Sequence, residues 1–218
     1  AVIGSGDEHV VKLADDLRDG AAALSVISPE MAPAAVRDCA ALAGDHNAEN
    51  AAAVAACLWN QRRFNEAVGE AVVFSQDNHS RSVQGVLRGL HYQLEPEPQA
   101  KLVRASVGKI FDVAVDIRQG SATFGQWVGA QLSAENKQQL WVPEGFAHGF
   151  LTLSAVAEVQ YKARGFWNKA CERAIRWDDT TISIQWPLDQ LGGTEVSLSS
   201  KDAEAPTLDQ AKSAGDVF

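Results

Sequence analysis

Aromatic residues are missing from the first 57 positions of this chain, although its 218 residues include six Trp, two Tyr and eight Phe. So sharp a contrast suggests two structural units, or two origins, meeting near residue 58. Long apolar runs are missing as well. No stretch approaches the roughly 20 apolar residues of a membrane span, and no basic segment followed by an apolar one opens the chain. Neither a membrane anchor nor a secretion signal is therefore expected. The chain begins with Ala1 rather than Met, which leaves its true start open. Cysteine is scarce and scattered, at Cys39, Cys57 and Cys171, with no CxxC spacing. This argues against a zinc site or a disulfide framework and fits a reducing cytoplasm. Positive charge is in the minority, with 19 Lys and Arg against 28 Asp and Glu and a net charge of −9. Such a balance argues against broad nucleic-acid or anionic-membrane binding. A local basic pocket for a phosphorylated ligand remains compatible with it.

The chain does have ample core material, being 46% apolar, enough for one sizeable core or a core with a small addition. In the alanine-rich part, Val10, Val11, Leu13, Ala14 and Leu17 form a helical stripe. Residues 22–27 read as a short strand and 33–42 as a second helix stopped at Gly44. Asn47 or Asn50 can cap a third helix through the alanine run to Cys57. Beyond residue 58 the period changes to two: Phe111, Val113, Val115 and Ile117 alternate with Asp112, Ala114 and Asp116. Residues 86–92, 101–107, 126–132, 150–153, 158–163 and 183–186 also read as strands, with a tight turn at Gly108-Lys109. Many short strands joined by Gly, Pro and Asn turns indicate a sandwich or barrel.

The string FSQDNHSRSVQGVLRGLHY at 74–92 resembles the active-site region of the dTDP-4-dehydrorhamnose 3,5-epimerase family. The resemblance continues through 101–154, which include PEGFAHGF, then through Tyr161-Lys162, ERAIRWDD at 172–179 and LSSKDAEAP at 198–206. It spans about 150 residues in the right order, and that ordered set is far more specific than any one piece. It implies a mainly β fold, a cupin-like jelly-roll barrel over 58–210. The helical, alanine-rich segment 1–57 would precede it, and a tail, 211–218, would follow.

The family's reaction needs a base, an oppositely placed acid and a cation near an enolate oxygen, because a C4 ketone acidifies the protons on C3 and C5 of the sugar. No redox cofactor or metal is required. The resemblance assigns His91 as base, Asp202 as the carboxylate behind it, Tyr161 as proton donor and Lys101 as the cation. It assigns Arg88 and His148 to the substrate, and Gln76, Asp77 and Asn78 to a nucleotide-contacting loop. Trp167 falls where a ring stacks on thymine, and Glu172 and Lys201 match further ligand contacts. Taken singly, these residue types are ordinary: a strand His is commonly structural, a lone Lys solvated, a Tyr or Trp a core residue. Trp127, Trp141, Trp177 and Trp186 read as core. A metal-binding cupin would offer two His two residues apart plus a Glu, whereas Gln93 stands two positions after His91. His79 and His148 are not at ligand spacing either.

The N-terminal part departs from the family. Trp59-Asn60-Gln61 and the following RFNEAVGEAVVF fit, but the expected GDxRGFFxE does not. Asn47 follows Gly44-Asp45-His46, and Cys57 stands at the position of the ligand-binding Glu. The stretch LAGDHNAENAAAVAAC at 42–57 is instead similar to the LxGxHNxxNxxAA segment of Mur ligases. The P-loop of those enzymes, GxxxxGK[ST], is absent. The resemblance thus implies a cytoplasmic, cofactor-free epimerase of a dTDP-sugar, assembled as a homodimer by sheet packing. With that Arg and Glu missing, turnover is expected to be reduced or lost. A single-carbon epimerase of a related nucleotide sugar and a non-catalytic sugar-nucleotide-binding barrel are the alternatives.

Overall fold

The computed structural model describes residues 25–27, 64, 65, 68 and 70–218. The helices expected around 10–17, 33–42 and up to 57 lie outside these residues. Ten strands form two antiparallel five-stranded sheets among the described residues. The first sheet has the order β1 (Ser25–Ile27), β7 (Gln139–Val142), β4 (Ala100–Val107), β9 (Val156–Arg164), β2 (Gln76–Val83). The second runs β10 (Glu172–Ala174), β3 (Leu87–Gln93), β8 (Phe146–Thr152), β5 (Lys109–Asp116), β6 (Trp127–Ser133). Strand β1 falls within the stretch 22–27 expected to be extended, so part of the alanine-rich segment adds a strand beside β7, with Val26 opposite Leu140.

The sheets face each other across an apolar core to which both contribute. Val103, Leu140 and Val159 come from one sheet and Ile110, Leu132 and Phe150 from the other. A second apolar layer covers the outer face of the second sheet. Val113, Val115 and Ile117 pack there against Ile175, Ile182, Leu208 and Val217 from the C-terminal segment. The alternation in β5 therefore has an unusual meaning: both faces are buried, and Asp112 and Asp116 are fully enclosed. Asp116 is satisfied by Arg118, Ser121 and Thr123, as a buried carboxylate requires.

Two expectations are corrected here. Residues 183–186 are not a strand. Ile182, Ile184 and Trp186 do turn toward the apolar layer, so the period of two is real. Their backbone forms no ladder, because Ser183 takes a φ of +53° and its N–H returns to the Asp179 carbonyl. Nor is 211–218 a separate tail. Helix α2 (Leu208–Ala214) crosses the expected boundary, capped at Thr207 and ended at Gly215. The terminal Phe218 exchanges backbone hydrogen bonds with Ile117 and Gln119. Apolar burial of Leu208, Ala211 and Val217 holds this segment down.

Candidate active site

The inward positions of β2 and β3 are polar. Gln76, Asn78, Ser80 and Ser82 alternate with exposed residues along β2, and β3 offers Arg88, His91 and Gln93. An apolar core cannot close on such walls without leaving polar groups unpaired. The barrel interior is accordingly filled at the β5–β8 side and open at the β2–β3 side. Two cavities of about 370 and 390 Å³ occupy that open side, and His91, Lys101 and Tyr161 line both. They are two lobes of one cleft meeting at these three residues.

His91 reaches the cleft through a local irregularity. Between Arg88 and His91 the register of β3 against β8 shifts. Leu90 leaves β8 and pairs its N–H and carbonyl with Ile175. His91 then lies directly opposite His148 of β8. His91 Nε2 is 2.5 Å from Asp202 Oδ1. A carboxylate can only accept, so Nε2 donates, and Nδ1 is left with its lone pair when the ring is neutral.

Asp202 belongs to the one-turn helix α1 (Ser200–Ala203). Ser199 Oγ donates to Asp202 Oδ2 at 2.8 Å and accepts the Asp202 N–H. Burial alone would raise the Asp202 carboxyl. The hydrogen bond and charge of His91, Ser199 and the Gly89 N–H reverse this and hold it below the ordinary carboxylate value.

Tyr161 and Lys101 come from the facing sheet, on β9 and β4, with Tyr161 opposite Asn78 and Val103 in the ladders. Burial raises the Tyr161 phenol; the charge of Arg88 opposes this and that of Glu172 adds to it. Burial lowers the Lys101 ammonium to about 8; Asp112 and Glu172 oppose the shift and Lys201 adds to it.

The remaining expected site residues divide between the lobes. Gln76, Asn78, Trp167 and Glu172 line the first. There Gln76 bonds both Asn78 Oδ1 and the Trp167 N–H, and the Trp167 ring stands 54% exposed at the mouth. Arg88, His148 and Asp202 line the second, with Arg88 Nε bonded to Ser82 Oγ. Lys201 Nζ and Glu172 Oε2 form an ion pair at 2.7 Å. Burial would raise Glu172, but Lys201, the Trp167 side chain and the charge of His91 bring it below its ordinary value.

Residues 76–78 begin strand β2 and are not a loop. Asp77 therefore points away from Gln76 and Asn78 by strand alternation and pairs with Lys162 on the outer face. Sequence reasoning missed Ser199, Ser82 and Asp112. The S-x-x-D spacing of Ser199 and Asp202 is a capping signature that signals the first. Nothing in the period-two run marks Asp112 as enclosed. Among the described residues, no three His, Cys, Asp or Glu side chains are grouped to hold a metal ion. No helix there is long and apolar enough to cross a membrane.

Comparison with known proteins gives a consistent result. The sequence model of the dTDP-4-dehydrorhamnose 3,5-epimerase family matches residues 36–210. That match takes in the whole of the Mur-ligase-like stretch 42–57 and begins before the boundary expected at 58. The chain is similar to the dTDP-4-dehydrorhamnose 3,5-epimerase of Salmonella typhimurium, with 58% identity over 153 residues, 70% of this chain and 81% of that protein. Its structure resembles that of a Legionella pneumophila dTDP-6-deoxy-D-glucose-3,5-epimerase in complex with dTDP-4-keto-L-rhamnose. The TM-score is 0.64 at 52% identity, over 68% of this chain and 76% of that one. A 3'-monoepimerase from Streptomyces bikiniensis in complex with dTDP-quinovose matches with a TM-score of 0.66 at 33% identity, over 72% and 77% of the two chains.

Proposed function

Because this chain belongs to the dTDP-4-dehydrorhamnose 3,5-epimerase family, we infer that it inverts C3 and C5 of dTDP-4-dehydro-6-deoxy-D-glucose to give dTDP-4-dehydro-L-rhamnose. One observation carries the mechanism: His91 on one sheet, backed by Asp202 of α1, shares a cleft with Tyr161 of the other sheet. Inversion requires a proton to leave one face of a carbon and return to the opposite face. In this reading His91 Nδ1 takes the proton, and Asp202 stabilises the imidazolium that results. The C–H electron pair moves into the ring as an enolate whose oxygen is the former C4 ketone oxygen. Lys101, itself withdrawn from water by burial, offers its ammonium to that oxygen. Tyr161, whose phenol keeps its proton through burial, returns a proton from the far side. No redox cofactor or metal takes part in these steps.

The nucleotide lies along the first lobe, with thymine on the Trp167 ring and polar contacts from Gln76 and Asn78. The sugar lies at the junction, within reach of Arg88 and His148. Lys201 leaves Glu172 to meet the diphosphate. Asp77 is given no part, since it faces outward beside Lys162. The working unit is a cytoplasmic homodimer joined by its sheets.

The test is deuterium uptake from heavy water at C3 and C5 of dTDP-4-dehydro-6-deoxyglucose, followed by NMR, with His91→Ala as control. Uptake at both carbons, lost in the variant, supports the 3,5-epimerase. Uptake at one carbon alone converts the assignment to a single-carbon epimerase. dTDP binding by folded protein without uptake converts it to a binding barrel.

A further inference from the structure

The buried carboxylate of Asp112 is unexplained by the fold. It sits on β5, an inner strand of its sheet, on the face that its neighbours Ile110 and Ala114 turn into the apolar core. It is fully enclosed. Oδ1 lies 2.8 Å from His148 Nε2, and Oδ2 has no hydrogen-bond partner. A Val or Leu would serve packing at this position without the cost of enclosing a charge. Asp116, two repeats of the pleat along, accepts five hydrogen bonds from three residues where Asp112 has one.

We propose that Asp112 is a positioning residue of the cleft: it holds the His148 ring with Nδ1 toward the substrate and supplies the buried negative charge that balances Lys101. This rests on the epimerase reading and adds a residue to it.

The argument for His148 is one of valence. A carboxylate accepts only, so Nε2 carries the proton and Nδ1 is the atom free to face the lobe that His148 lines. The arrangement repeats the His91–Asp202 pair, and the two rings are direct partners across β3 and β8. The argument for Lys101 is electrostatic. The charged groups acting on it are Asp112 from β5, Glu172 from β10 and Lys201 from α1, and His91, His148 and Tyr161 share its cavity walls. Glu172 is already paired with Lys201, whereas the one hydrogen-bond partner of Asp112 among the described residues is the His148 imidazole, with no lysine or arginine bound to it. Removing its charge leaves Lys101 deprotonating at lower pH, and with it the cation that an enolate oxygen requires.

The test is Asp112→Asn, which keeps the shape and an acceptor for His148 Nε2–H but removes the charge. Two readouts are made: the Lys101 titration by 13Cε NMR, and the pH dependence of kcat and KM. The expected result is a Lys101 midpoint lower by roughly 0.5–1 pH unit. The alkaline limb of kcat/KM moves with it, and kcat at pH 7.5 falls about twofold to threefold with KM little changed. A folded variant with an unmoved Lys101 midpoint overturns the proposal. A purely structural role would lower the melting temperature and leave the midpoint in place. If the variant does not fold, 15N NMR of the wild-type histidines decides, with His148→Gln for assignment. The Nε2–H form of His148 supports the proposal, and the Nδ1–H form overturns it. Neither NMR readout needs substrate, so failure of the epimerase reading and failure of this proposal are told apart.

Discussion

Gly89 and Gly149 meet back to back across β3 and β8: a Cβ on Gly89 would stand 2.6 Å from the Gly149 Cα. This contact sits beside the register shift that delivers His91 to the cleft opposite His148. A methyl group at Gly149 would in turn stand 2.7 Å from the Arg88 carbonyl. Gly149→Ala therefore pushes β3 off β8. The expected cost is about 1–3 kcal/mol in urea unfolding, with a loss of turnover larger than stability alone explains.

The His91–Asp202 pair gives a prediction with a sharp contrast. Asp202→Asn keeps an acceptor for Nε2 but removes the charge that stabilises an imidazolium. Turnover should fall by about 10²–10⁴-fold, the range of a lost acid–base contribution, while dTDP affinity by calorimetry stays near wild type. An equal loss in both would place Asp202 in ligand binding instead.

Lys101, lowered to about 8 by burial, sets an alkaline limit. Below that pH the ammonium is present for the enolate; above it the rate should fall about tenfold per pH unit. The stability effect has the opposite sense. The unfolded chain holds this proton up to the ordinary lysine value near 10.5, so between about 8 and there it binds more protons than the folded one. Stability contributed at this site accordingly rises with pH through that window. Lys101→Met should abolish the limb and most of the rate, and raise the melting temperature at pH 7.

Ser199 lies behind Asp202 as cap and donor. The Asp202 value is depressed, so its contribution to stability is complete above the unfolded carboxylate value and is lost as pH falls through the folded one. Ser199→Ala removes one donor, brings the folded value closer to the ordinary one and moves that acid loss to higher pH. The lost cap should cost about 1 kcal/mol at neutral pH. A pH series of thermal melts checks both.

Trp167, exposed at the mouth of the first lobe, should act on binding rather than chemistry. Trp167→Ala is expected to weaken dTDP by roughly 1–3 kcal/mol, the range for base–aromatic stacking, and to raise KM with kcat nearly unchanged. Fluorescence quenching by dTDP should be largely lost with it.

Much of this protein was legible along the chain, because strand periodicity and a long ordered string are local properties. Period two in 111–117 marked β5, Gly108 marked its turn, and the string around His91 pointed to the chemistry. Alternation along the strand also dictates that Asp77 must face away from Gln76 and Asn78. The same locality explains the failure at 183–186. Alternating Ile182, Ile184 and Trp186 report which side is buried, but a strand also needs a partner that lies elsewhere in the chain. The joining of His91 to Asp202 over 111 positions, and the enclosure of Asp112 beside His148, depend on how two sheets and a C-terminal segment pack. The amino-acid order by itself determined which residue types share a face of each strand. Only the tertiary structure decided which of them meet across the cleft, because burial and hydrogen-bond partners are set by chain segments distant in sequence.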